Sequence, residues 1–188
     1  MRNLSDQEII DSVRKGNESD YSIIINRYKN KAFSLLMRML KNEFDAEEVL
    51  QDCFLKAYNS LNSFKGEAKF STWFYRIVYN SALTKLSSQK RKIEAEMSSV
   101  EDNFDLESEY NADDIEKKDL QEFVQDIINK LPERYSAIIT MFYLNEMSIE
   151  EISEVMQITV SNVKVMLYRS RNSMRDLVLK SKLAEELI

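Results

Sequence analysis

A chain of 188 residues with one cysteine, no histidine and a net charge of -6 can fill one or two small cores, but it has no internal disulfide and no histidine-based site. Two glycines, Gly16 and Gly66, and one proline, Pro132, are too few for hairpins and sheet turns, so an almost wholly α-helical protein is predicted. No stretch of about 18 uncharged apolar residues could span a bilayer, and the opening MRNLSDQEII lacks an apolar signal core; a cytoplasmic chain without direct membrane insertion is expected.

The first helical pattern follows Ser5, with Glu8 three residues on as a capping-box partner and Ile9, Ile10 and Val13 at core spacing. A stronger pattern is FDAEEVLQDCFLKAYNSL, where Asp45 is predicted to cap a helix with Glu48 reaching back. On a helical wheel Ala46, Leu50, Cys53, Ala57 and Leu61 share one face, and Glu48, Gln51, Asp52 and Leu55 lie opposite. A leucine amid acids and an amide on an outward face has two readings. Single exposed leucines are common and need no explanation, or this is a contact face for a basic partner helix.

Residues 63–80, SFKGEAKFSTWFYRIVYN, hold six aromatics: Phe64, Phe70, Trp73, Phe74, Tyr75 and Tyr79. Phe70, Phe74 and Ile77 share a face and are expected in the core, but burying every ring in a domain of this size looks difficult. The stretch from 64 to 92 also carries Lys65, Lys69, Arg76, Lys85, Lys90, Arg91 and Lys92 against Glu67 alone. Rings interleaved with cations suit single-stranded nucleic acid, since rings stack on bases while cations follow phosphates. Gly66 would let the loop turn and a strand approach its backbone.

Residues 93–119 hold eleven acids against Lys117 and Lys118. The segment is polar and has no sustained helical stripe, so it reads as a flexible acidic linker, and a solvated tether is preferred over a metal site. It divides the chain into a domain at 1–92 and another at 120–188.

In the second domain Pro132 suits a helix start, Ser148 and Glu151 form another capping box, and the short span MQIT separates two helical patterns. This is a helix-turn-helix layout. Val160, Val163, Leu167, Ser170, Met174 and Leu177 define the buried side of the last helix, and Ser161, Lys164, Val165, Tyr168, Arg169 and Asn172 the outer side. From 164 to 182 six cations, Arg171 among them, face Asp176 alone. Such an outer face suits major-groove reading, or is simply solvated.

The chain resembles the extracytoplasmic-function members of the bacterial sigma-70 family of RNA polymerase initiation factors. DAEEVLQDCFLKAY resembles the family's core-polymerase-binding segment, SFKGEAKFSTWFYRIVYNSA its segment for melting and reading the minus-ten element, and LPERYSAIITMFYLNEMSIEEISEVMQITVSNVKVMLYRSR its minus-thirty-five reader. The resemblance implies that Glu48, Gln51, Asp52 and Leu55 face the coiled coil of the polymerase β′ subunit. It implies that Phe64 and Asn80 hold a flipped base, with Lys65, Lys69, Trp73 and Arg76 supporting the melted strand. Ser161, Lys164, Val165, Tyr168 and Arg169 fall on the minus-thirty-five reader, with Arg171 nearer the DNA backbone. The implied partners are core RNA polymerase, through β′ and the β flap, promoter DNA, and an anti-sigma factor of the membrane-linked kind; no cofactor or metal is implied.

Two departures from the family pattern stand out. Gln157 occupies a turn position often filled by glycine, and Val165 and Met166 replace a polar and basic pair after Lys164. A self-contained helix-turn-helix regulator is the alternative, and binding to core polymerase separates the two. An enzyme is disfavoured, because there is no histidine, no glycine-rich phosphate loop and no paired metal-ligand spacing.

Overall fold

The computed structural model describes residues 4–97 and 120–181, and all the regular structure among them is helical. Helix α1, Asp6–Arg14, starts with the expected capping box: the Glu8 N–H donates to Ser5 Oγ at 3.3 Å and the Ser5 N–H to Glu8 Oε2 at 2.8 Å. The long helix α2, Tyr21–Leu40, ends where Lys41 turns left-handed at φ 54°. Helix α3, Glu43–Ser60, then begins after Asn42, whose side chain accepts from the Asp45 N–H at 3.0 Å.

The cap is therefore Asn42 and not Asp45. The helix starts a turn earlier than the capping-box pattern suggested, which leaves the Asp45 carboxylate free to reach across to α4. There it meets Lys85 Nζ at 2.9 Å and the Gln89 amide at 2.7 Å.

Helix α4, Phe70–Met97, begins one residue before Ser71 and continues five residues into the segment assigned to the acidic linker. The rest of that segment, with most of its acids, lies outside the described residues. The chain is described again at α5, Leu120–Asn129, followed by α6, Glu133–Ile139, which Pro132 opens as expected. A π-helical turn, Thr140–Leu144, leads to α7, Ile149–Met156, and then to α8, Val160–Lys180.

Helices α2, α3 and α4 form a three-helix bundle with α1 across α2, and α5, α6 and α7 gather around α8 in a second bundle. Five of the six rings in residues 63–80 are buried; only Trp73 is partly exposed. Phe74 stacks on Phe54 at 4.8 Å, and Tyr28 meets Phe70 edge-on at 5.6 Å and Tyr75 at 6.4 Å. Such pairs contribute about 0.5–1.5 kcal/mol each beyond area burial.

The expected difficulty of burying so many rings has a simple resolution. Helix α4 is covered on one side by α2 and α3 and on another by α7, while α6 packs against α2. The second bundle thus supplies walls that the first bundle alone lacks. Between the bundles, the buried Arg38 donates from Nη2 to Gln125 Oε1, and burial lowers the pKa of its guanidinium.

Candidate nucleic-acid and partner interfaces

On α3 the wheel is realised. Ala46, Cys53, Ala57 and Leu61 are buried, Leu50 is half-buried, and Glu48, Gln51, Asp52 and Leu55 are exposed, Leu55 by 61%. Burial pushes the Cys53 thiol up to about 11, so it stays protonated and inert within the core. Glu48 Oε2 accepts from Lys85 Nζ at 2.6 Å, and bonds to Glu48 and Asp45 push that ammonium up to about 12. Beside this pair a mixed polar and apolar cleft of about 240 Å³ opens between α3 and α4, lined by Glu48, Val49, Asp52, Lys56, Ser81 and Lys85 among others. The sequence reading missed one residue of this face, Phe44, which is 84% exposed. Its signal was its spacing, eleven residues before Leu55.

The loop before α4 is held from behind. Arg14 donates from Nη2 to the carbonyls of Leu61 and Phe64, each at 2.5 Å, and Gly66 takes φ 74°, a value that disfavours residues with a Cβ. The Phe64 ring is only 7% exposed and rests on Trp73 at 5.0 Å and Phe70 at 5.8 Å, a supporting ring beneath Trp73 in this arrangement. Lys69, Trp73, Arg76 and Asn80 follow at spacings of 4, 3 and 4 and so share one side of α4. Asn80 and Lys65 are exposed.

Two cations of that side already have carboxylate partners. Lys69 Nζ lies 2.8 Å from Glu151 Oε1, and Arg76 donates from Nε to the Glu154 carbonyl at 3.0 Å, with its Nη2 3.9 Å from Glu154 Oε2. The hydrogen bond from Lys69, followed by the charge attraction, raises the pKa of the lysine. At Glu151 partial burial works against ionisation, but bonds from Lys69 and the Ser148 N–H outweigh it and hold the carboxyl below its ordinary value. Both acids sit on α7, so the first helix of the helix-turn-helix covers part of the aromatic-basic side of α4.

The helix-turn-helix closes through Gln157, left-handed at φ 56°, ψ 43°. A non-glycine residue there costs about 1–2 kcal/mol. Two bonds fasten the turn against that cost: Ser153 Oγ donates to the Ile158 carbonyl at 2.6 Å, and the Ile158 N–H returns to the Ser153 carbonyl at 3.2 Å. Thr159 then caps α8 by accepting from the Asn162 N–H at 3.2 Å.

Val163, Leu167 and Ser170 are buried, while Ser161, Lys164, Val165, Tyr168 and Arg169 all face solvent, Val165 by 44% and Tyr168 by 65%. Arg171 points elsewhere. Its Nε donates to Tyr143 Oη at 2.7 Å, and its guanidinium lies over the Phe142 and Tyr143 rings.

The faces on α3, α4 and α8 are chemically distinct, and their order along the chain has a counterpart among known proteins. The model of Sigma-70 region 2 matches residues 24–92, and that of Sigma-70 region 4 matches residues 123–174. The ECF RNA polymerase sigma factor SigW of Bacillus subtilis is 34% identical over 174 residues, covering 88% of this chain and 92% of that protein. This chain belongs to the ECF group of the sigma-70 family. The ECF RNA polymerase sigma-E factor of Haemophilus influenzae is likewise 34% identical, over 89% of this chain and 92% of its own.

Among solved structures, the fold of this ECF protein is similar to CnrH in complex with the cytosolic domain of CnrY, with a TM-score of 0.66 at 20% identity. That alignment covers 92% of this chain and 96% of CnrH. It is also similar to the sigma factor RpoE of Bartonella quintana in complex with the anti-sigma factor NepR, with a TM-score of 0.64 at 19% identity over 87% of this chain and 99% of that one. In this ECF protein no group of three or more acidic or cysteine side chains among the described residues could hold a metal ion, and no described helix is long and apolar enough to cross a membrane.

Proposed function

We propose that this ECF protein acts as a sigma factor: it binds core RNA polymerase and directs initiation at promoters read at their minus-thirty-five and minus-ten elements. The observation that carries the reading is the outward side of α3, where Glu48, Gln51, Asp52 and the 61%-exposed Leu55 form a continuous stripe on a helix whose other side is core. An acidic stripe that ends on an exposed leucine fits basic helices, which in the family belong to the polymerase β′ coiled coil. The second bundle contacts the β flap.

For the minus-ten element, Phe64, backed by the Trp73 ring, and Asn80 hold the flipped base, and Lys65, Lys69, Trp73 and Arg76 support the melted strand. Extracting a base costs a few kcal/mol, which stacking at about 1–3 kcal/mol per base can offset. For the minus-thirty-five element, Ser161, Lys164, Val165, Tyr168 and Arg169 enter the major groove and Arg171 lies toward the DNA backbone. Phosphodiester synthesis belongs to the polymerase, so no catalytic residue is assigned here. Phosphates compete with Glu151 for Lys69 and with Glu154 for Arg76, and withdrawal of α7 frees both cations.

The solved complex of RpoE with the anti-sigma factor NepR supports an anti-sigma partner for this protein too, and by family analogy that partner is membrane-linked and meets the protein in the cytoplasm. The polymerase reading is tested by Leu55→Arg combined with Asp52→Lys. Association with core RNA polymerase should be lost while the helical circular-dichroism signal stays intact. Retained association, or loss only through unfolding, overturns it.

A further inference from the structure

Phe44 is the most exposed of the large apolar side chains among the described residues, and it packs neither in the core nor at its margin. One exposed ring alone would need no explanation. Its register gives it one. At about 100° and 1.5 Å per residue, Phe44 lies within about 20° of Leu55 around the α3 axis and about 16 Å from it along the axis. Glu47, Glu48, Gln51 and Asp52 occupy the surface between them, all exposed. The face is thus a bar of acid bounded at each end by a bare apolar side chain.

That geometry restricts what can cover it. A loop or a point contact would meet one end only. A second copy of the same face would set carboxylates against carboxylates. A cationic helix of at least three turns lying along α3 would meet both apolar ends and neutralise the acids between.

We propose that Phe44 is a second apolar anchor for the polymerase helix that docks on α3, so that the footprint runs from residue 44 to residue 55. The proposal rests on the polymerase-binding reading and extends it from Glu48 by about one helical turn toward the start of α3. Aromatic anchors dominate interface energetics when a partner desolvates them, and Leu55 alone offers a smaller surface.

The test uses the full chain and core RNA polymerase in an equilibrium binding titration, with Leu179→Ser as a control at an exposed apolar site far from α3. Phe44→Ser should weaken binding by about tenfold or more, the usual scale for an interface aromatic, with an unchanged thermal midpoint. Phe44→Leu should restore most of the affinity. If Phe44→Ser binds like the parent while Leu55→Ser is weakened, the footprint ends short of residue 44 and the proposal fails, though the polymerase reading stands. If neither variant is weakened, both fall. A thermal midpoint that drops in parallel with affinity makes Phe44 structural and overturns the proposal. So does unchanged polymerase affinity with lost self-association in sedimentation, which assigns the ring to a second copy of the chain.

Discussion

The carboxylate of Glu151 links Lys69 to the helix-turn-helix through two different oxygens: Oε1 pairs with Lys69 Nζ at 2.8 Å, and Oε2 accepts from the Ser148 N–H at 2.8 Å to cap α7. The cap survives if Lys69 leaves. Separation of α4 from α7 therefore breaks an exposed ion pair and the contacts of Arg76 but unfolds neither helix.

Glu151→Gln with Glu154→Gln should shift the chain toward forms in which α4 and α7 are apart. Exposed ion pairs contribute about 0.2–1 kcal/mol each, so the shift should be at most about fivefold per pair, and smaller at high salt. A fluorophore pair on α3 and α8 would report it as lower transfer efficiency, and single-stranded minus-ten DNA should bind more tightly in parallel. Unchanged transfer together with unchanged DNA binding would show that apolar packing, and not these charges, holds the bundles together.

Lys85 gives a pH dependence. Its hydrogen bonds to Glu48 and Asp45 push its pKa from 10.5 up to about 12. A raised folded-state pKa means that its stabilisation is complete below 10.5 and disappears as pH climbs through about 12. Lys85→Met should lower stability by at most about 1 kcal/mol, the upper range for exposed pairs. In urea titrations the gap between parent and variant should be constant well below pH 10.5, narrow above it and close as pH passes about 12. Tyrosine ionisation affects both proteins alike and cancels in the difference. A gap that persists at the alkaline end would trace to packing of the lysine methylenes.

Patterns that depend on near neighbours were legible in the chain before any coordinates. Ser5 with Glu8, Ser148 with Glu151, the start at Pro132 and the buried line through Val163, Leu167 and Ser170 all follow from spacings of three or four residues. Local competition misled the reading once: Asn42 and Asp45 could each cap α3, and the tertiary reach of Asp45 to Lys85 goes with the earlier start. What could not be read was long-range. Nothing local to Lys69 or Arg76 points to Glu151 and Glu154, about eighty residues away, and the buried state of Tyr75 and Tyr79 follows from packing that includes a second bundle. Phe44 lay within the legible range, since its register with Leu55 is a matter of helical spacing alone.

Val165 supplies the most specific expectation for DNA reading. It is 44% exposed on the outer face of α8, one residue after Lys164 and four before Arg169. Those two cations can bind phosphates or guanine edges, but Val165 offers only apolar contact, and the thymine methyl is the apolar feature displayed in the major groove. Met166 is half-buried and sits toward the core side, so it contributes less. The expected minus-thirty-five preference includes one thymine methyl against Val165, with a discrimination near the low end of the roughly 1–3 kcal/mol typical of a base contact. Replacing each thymine in turn with deoxyuridine removes only the methyl and should weaken holoenzyme binding at one position. Val165→Ser should remove that sensitivity while leaving the other positions unchanged. Uniform indifference to deoxyuridine, or the same methyl dependence in Val165→Ser as in the parent, would place specificity in Lys164, Arg169 and the shape of the DNA instead.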